Sequence, residues 1–454
     1  MNQSAPARHR GTATFTEGSI RRHVVHLSSV MIVGFLAMTL GQLVEMFYIG
    51  MVGKLELAAI TFTFPITMSL NALTRGIGIG ASTLIAQSMG EGDRFKTSLT
   101  ITHCYLLVLL FTTAVALLGQ IGAEHLFSLL GARDEVLALA SSYAHIWLIG
   151  FPMMGIAMVS NGLIRSFGNA TFPGYIMTTA PAVQVTVGPF LIFGLFGFPE
   201  LGLQGAGWAF VAGTCAQVLL AGYWYFFKER LFVRSLGNFV QSAQQILVVG
   251  IPAAATNLIQ PVSMAVVTWL LAGFGTTVVA GFGVASRIES VAGMVVIGIS
   301  TSVVPLVGQN WGARKFDRVY ETLATCYIGC LVWGLIAATI MWLGAGYFVN
   351  FINDDPSLVE TAVTFLHIIP LSIGFLGLIT VATHAFNALR KPMPALLLSV
   401  ARLLIVYIPM ALVASHYFGY VGIFAATAIT NVLVGIVAVL WNRRTLKHEQ
   451  SLLN

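Results

Sequence analysis

Long apolar runs alternate with short charged or glycine-rich joints along the whole chain. A bilayer's hydrocarbon core is about 30 Å thick, and a helix needs about 20 apolar residues to cross it. Runs of at least that scale recur at 25–50, 57–88, 100–123, 139–165, 172–197, 203–227, 244–272, 277–309, 321–349, 358–389, 394–416 and 419–441. They predict twelve transmembrane helices. A membrane β-barrel would show segments of about ten residues in strict alternation, and none alternates that way. The expected fold class is therefore an all-α integral membrane protein.

Composition strengthens this reading. The 454 residues are 57% hydrophobic and 9% charged, where a soluble domain carries about 25% charge. Mean hydropathy is +0.85. No soluble enzyme or nucleic-acid binder could hide that much apolar surface. The net charge of +6 belongs to loops rather than to a nucleic-acid partner. The four cysteines, Cys104, Cys215, Cys326 and Cys330, all lie in apolar runs and form neither a disulfide framework nor a metal spacing. The first 20 residues lack the apolar core of a signal peptide, so no removable leader is expected. Paired acids, a His–Glu metal motif and a nucleophile elbow are all missing. No enzyme activity, cofactor or metal is expected.

Charge asymmetry orients the spans. One side receives Arg8, Arg10, Arg21, Arg22, Arg94, Lys96, Lys228, Arg230 and Arg234. It also receives Arg314, Lys315, Arg318, Arg390, Lys391, Arg443, Arg444 and Lys447. The other side has Lys54 and Arg133, with acids such as Glu124, Asp354 and Asp355. Both termini are expected in the cytoplasm. The expected organisation is a cytoplasmic tail at 1–24, an N-lobe of six helices at 25–227 and a cytoplasmic linker at 228–243. A C-lobe of six helices at 244–441 and a cytoplasmic tail at 442–454 follow.

The two lobes repeat each other. GIGIGASTLIAQSMG at 76–90 matches GISTSVVPLVGQNWG at 298–312, which pairs Gln87 with Gln309 and Gly90 with Gly312 at an offset of 222. The same offset superposes His145 on His367. Arg165 and Pro173 match Arg390 and Pro394, and Gly202 and Gly205 match Gly419 and Gly422. Six spans is an even number, so both lobes enter from the same side. A parallel repeat of this kind is a transporter architecture.

These segments resemble the multidrug and toxic compound extrusion (MATE) family, over about residues 16–442. TEGSIRRHV at 16–24, LVEMFYIGMVG at 43–53, GIGIGASTLIAQSMGEGDR at 76–94, GLIRSFGN at 162–169 and SRIESVAGMVVIGISTSVVPLVGQNWGA at 286–313 carry the likeness. The resemblance is closest to the DinF-like branch. It implies a V-shaped pair of parallel-repeat six-helix lobes, alternating access, and export of organic cations or amphiphiles driven by inward protons or sodium. Three departures stand out. Glu45 replaces a first-span aspartate; Gln184 and Gly188 replace a fifth-span asparagine and aspartate; and the first-span proline is missing from 26–34. The sodium-linked branch places carboxylates in the seventh and tenth spans. Here the seventh span offers Asn257 and Gln260, and the tenth has no acid.

A carboxylate within lipid costs about 2.5–3.5 kcal/mol on insertion scales, so intramembrane acids are rare and functional. Only Glu45 and Glu289 fall clearly within spans. Glu45, near the outer end of its helix, is the expected coupling residue for a proton or cation; the plain alternative is an interfacial acid that reaches water. Gln42, one turn away, and Asn71, Asn161 and Gln184 are candidates for the same polar cavity, or for hydrogen bonds between helices. In the C-lobe the secondary candidates are Asn257, Gln260, Arg287 and Glu289, with Glu289 expected to pair with a neighbouring helix or with Arg402. Arg75, deep in the second span, either pairs with Glu45 or snorkels. His145 and His367 read as duplicated structural histidines rather than a proton relay.

The expected function is a secondary active multidrug exporter, exchanging hydrophobic cationic drugs or dyes for protons in a bacterial inner membrane. A sodium-coupled exporter or a lipid-linked precursor flippase is the alternative. The bilayer is the expected partner, nucleic acid is not, and a monomer is expected.

Overall fold

The computed structural model describes residues 14–453 apart from 232, 234, 236, 353 and 354. Arg8, Arg10, Arg234 and Asp354 of the charge analysis lie outside the described residues. The described chain is helical throughout. We number the long helices α1 Ile20–Val52, α2 Lys54–Glu91, α3 Arg94–Leu129, α4 Asp134–Phe167, α5 Phe172–Phe193 and α6 Leu203–Lys228. They continue as α7 Phe239–Ala272, α8 Thr276–Gly312, α9 Phe316–Asn350 and α10 Pro356–Ala388. The last apolar stretch, Pro392–Ser451, is 60 residues long, about 90 Å of helix at 1.5 Å per residue. That is too long for one crossing. It breaks at Gly419, whose φ of 60° and ψ of −147° are not helical. We take it as α11, 392–418, and α12, 420–451. The helices thus match the twelve expected spans in number and order.

Their ends run past the expected limits: α7 begins at Phe239 and the final helix reaches Ser451. Hydropathy marks the part of a helix in hydrocarbon, and backbone hydrogen bonding carries it on into water. Large apolar side chains on the outside, such as Leu118 at 70%, Ile121 at 86% and Leu343 at 74% exposed, suit contact with lipid.

The chain forms two compact units that do not follow its order. The first comprises the chain up to Glu17, Val33–Ile251 and Gly308–Arg314; the second comprises Gly18–Ile32, Pro252–Val307 and the chain from Lys315 on. The expected lobe limits at 25, 227 and 244 therefore differ from these groupings. The first stretches of α1 and of its repeat partner α7 each belong to the opposite unit from the rest of their helix.

In the first unit, small residues let helices approach closely. A Cβ added at Gly34 would lie 2.8 Å from the Met177 sulfur, and one at Gly41 would lie 2.6 Å from Pro181 Cβ. Gly34, Gly41 and Tyr48 recur every seven residues along α1, so one face of α1 lies on α5. Two apolar clusters fill the unit. One centres on Ile85, Ile101, Leu163, Trp224 and Ile246. The other centres on Ile49, Phe127, Trp147, Phe151 and Ile192. The glycines of GIGIGAS are packing positions: a Cβ at Gly80 would strike the Ile246 carbonyl oxygen at the start of α7. In the second unit, Phe365 meets Phe282 and Phe424 edge to face with centroids 5.6 and 5.2 Å apart, while Phe282 and Phe424 lie near-parallel at 6.5 Å.

The repeat is visible in the bonding. His145 shares a 2.7 Å hydrogen bond with Gln120 of α3, and His367 bonds the Trp342 carbonyl of α9 at 3.2 Å. Both partners lie 25 residues before their histidine, so both pairs obey the offset of 222. The histidines tie neighbouring helices, as structural histidines do.

Candidate functional site

The α1–α5 packing sets the site. Gly34 and Gly41 bring α1 against α5, which places Glu45 beside α5 about one turn beyond Gly41. Glu45 and Tyr48 of α1, with Gln184, Val185, Gly188 and Ile192 of α5 and Ala206 and Ala209 of α6, line a small pocket. Pro189 lacks an N–H, so the helix cannot satisfy the Val185 carbonyl. The Tyr48 hydroxyl donates to that oxygen at 3.4 Å instead.

Among the described residues, Glu45 has no ion pair and no hydrogen-bond partner. Its carboxyl group is half-buried and faces a pocket whose other lining groups are neutral. Gly188, where the family resemblance leads one to expect an acid, carries no side chain, and the Tyr48 ring comes within 3.6 Å of a Cβ placed there. The pocket therefore holds one titratable carboxyl, and its protonation is the chemical change the site can make.

Of the four candidates for the cavity, the structure brings Gln184 to Glu45. Gln42 is exposed and Asn71 half-buried, and neither lines the pocket. Asn161 is buried and donates to the Pro173 carbonyl at 3.3 Å, joining α4 to α5. Tyr48 was missed in the sequence. It was legible, because it stands three residues from Glu45 on the same helical face.

The second unit holds the secondary candidates. Asn257 donates to Ala253 of its own helix at 2.8 Å, and Gln260 and Arg287 are exposed. Glu289 does not pair with Arg402 as expected. Arg402 donates to the Asn431 side chain at 3.3 Å, and Asn431 donates to Ser372 at 3.0 Å, so neutral amide and hydroxyl groups take the guanidinium. Nor does Arg75 pair with Glu45: among the described residues Arg75 has no ion pair or hydrogen bond.

The helices define a multi-pass membrane protein. A single family model, MatE, matches residues 31–190 and again residues 252–413, and the second match begins 221 residues after the first. The chain belongs to the MatE family. A protein of Shewanella oneidensis named FAD transporter is 31% identical over 92% of this chain and 93% of its own length. The multidrug export protein MepA of Staphylococcus saprophyticus is 24% identical over 94% of each chain. The crystallised Vibrio cholerae MATE transporter VcmN superposes with a TM-score of 0.89 at 25% identity, covering 94% of this chain and 97% of that one.

Proposed function

We propose that the protein is a secondary active exporter of organic cations or amphiphiles in a bacterial inner membrane, both termini cytoplasmic, driven by inward protons. One observation carries the coupling: the Glu45 carboxyl stands alone in a neutral pocket. Such a group can hold a proton or face a cation, and doing neither leaves an uncompensated charge in a dry site. Obligatory exchange follows from that. Sodium would be held better by several oxygen ligands. With Gly188 in place of a second acid, the pocket offers only one carboxylate.

Everted vesicles with ethidium and a pH-sensitive dye test this reading. Ethidium uptake without sodium, accompanied by proton release and abolished by a protonophore, is expected. Uptake that survives the protonophore and requires a sodium gradient would reject proton coupling.

A second cargo class also has an observation behind it. The relative from Shewanella oneidensis bears the name FAD transporter, and FAD is an anionic, aromatic dinucleotide. This chain carries Arg75 in mid-span without an acidic partner among the described residues.

A further inference from the structure

One exposed stripe of α12 changes from apolar to basic without leaving its face of the helix. Leu433, Ile436, Val437 and Leu440 are exposed and spaced as one helical side. Arg443, Arg444 and Lys447 continue that side, and all three are exposed. The opposite side is fastened to its neighbours. Asn442 and Leu446 are buried, and Asn442 accepts from the Tyr327 hydroxyl of α9 at 3.2 Å. Two turns on, Tyr320 of α9 donates to the Gln450 side chain at 3.2 Å. Glu449, the single acid from residue 442 onward, bridges to Lys391 at 3.0 Å. All these residues belong to the second unit.

Arg443, Arg444 and Lys447 make no ion pair and no side-chain hydrogen bond among the described residues. The nearest acid along the chain is already taken by Lys391, so three cations held on one fixed helical side have no internal counter-charge. Their depth points to the partner. Arg443 and Arg444 lie about 4.5–6 Å along the helix beyond Leu440, close to the thickness of about 5–7 Å of one headgroup layer. Lys447 is about 10 Å beyond Leu440, and its stem reaches back toward the same layer. Counted from Gly202 as Arg443 and Arg444 are counted from Gly419, the matching positions of α6 are Phe226 and Phe227, both exposed. Aromatic rings favour the membrane–water boundary.

We propose that this end of α12 is a binding site for an anionic phospholipid. Its acyl chains lie along Leu433, Ile436, Val437 and Leu440, and its phosphate meets the guanidinium groups of Arg443 and Arg444, which suit phosphate oxygens in a bidentate manner. Lys447 adds a point charge. A zwitterionic headgroup is disfavoured, because its ammonium is repelled by the three cations. A lipid is favoured over a free phosphate because the basic residues and the apolar stripe share one side of the helix. The site is independent of the cargo and of the coupling ion.

Thermal melting of the purified full-length protein in neutral detergent, with phosphatidylglycerol or phosphatidylcholine added, tests this, and native mass spectrometry reads the lipid retained. Phosphatidylglycerol is expected to raise the melting temperature more than phosphatidylcholine and to be held about tenfold more tightly or better. That advantage should shrink at high salt. Changing Arg443→Gln, Arg444→Gln and Lys447→Gln together should abolish it while leaving the melt in phosphatidylcholine unchanged. Arg443→Lys with Arg444→Lys should keep part of it. Changing Arg21→Gln, Arg22→Gln and Arg314→Gln together removes the same charge elsewhere and should keep all of it. Equal effects of the two lipids on the unaltered protein would overturn the proposal. So would an advantage that survives in the first triple variant, or an equal loss in the second, which would mark a general effect of net charge. Stabilisation by glycerol 3-phosphate equal to that by phosphatidylglycerol would overturn it in favour of a soluble anion.

Discussion

Gly90 of α2 and Gly312 of α8 are repeat partners, and each lies against the other's neighbour: a Cβ at Gly90 would strike the Gln309 carbonyl oxygen, and one at Gly312 would strike that of Gln87. Gln87 and Gln309 are themselves repeat partners. The crossing is therefore reciprocal, as at an isologous interface, although it is made within one chain. Gln309 has a second task at this point. Its side chain accepts from the Phe15 N–H at 3.1 Å and donates to the Ser166 carbonyl at 2.9 Å, and Asn310 donates to the Phe15 carbonyl at 3.1 Å.

Because backbone oxygens, not flexible side chains, stand in the way, Gly90→Ala and Gly312→Ala should each destabilise the protein by about 1–3 kcal/mol. The double variant should lose less than the sum, since both changes open the same crossing. Thermal unfolding of the purified protein in detergent reads this. Unchanged melting in both single variants would show that the crossing relaxes freely.

Gly202 and Gly419 should be equally intolerant. Gly202 has φ 52° and ψ −128°, and Gly419 has φ 60° and ψ −147°, a backbone region that side chains avoid. Each opens the last helix of its half. Alanine at either position should cost about 1–3 kcal/mol and lower the yield of folded protein on size exclusion. Retained monodispersity and melting temperature in both variants would contradict the strain argument.

Glu45→Gln keeps the shape of the side chain and removes its titration. Efflux against a gradient should be lost while expression stays normal. Glu45→Asp should retain partial activity with a shorter reach. Cation binding to the unaltered protein should weaken as pH falls, because protonation removes the charge that holds the cation. Binding to Glu45→Gln should be weak and nearly independent of pH. Wild-type export rates in Glu45→Gln would make Glu289 the next residue to test.

Orientation can be read at Ser235, in the joint between α6 and α7. Its carbonyl bonds His103 at 3.0 Å, and a cysteine side chain there leaves that bond intact. In a Cys215→Ser background, Ser235→Cys should resist an impermeant maleimide in intact cells and react after permeabilisation. Rapid labelling of intact cells would place this joint, and both termini, outside.

The twelve spans were legible because a helix in hydrocarbon must be apolar along its length. The repeat was legible because both copies retain the same glycines, glutamines and histidines. Gly202 and Gly419 were visible as repeat partners, but their shared backbone conformation was not. Glu45 could be singled out because an acid in an apolar run is conspicuous. The Glu289–Arg402 pairing failed because complementary charge in two spans says nothing about distance, and Asn431 was nearer.

The sequence by itself determined the number of apolar spans, the duplication and the rarity of acids within the spans. These are one-dimensional properties, set by hydropathy, spacing and residue type. Only the tertiary structure decided that Gln184 lines the pocket at Glu45 while Gln42 does not, and that Arg75 makes no ion pair among the described residues. Those relations depend on which helix faces meet. Helices in lipid are sorted by close packing at small residues such as Gly34 and Gly41, not by burial of apolar surface. A sequence that is apolar on every face leaves that choice to the fit of side chains in three dimensions.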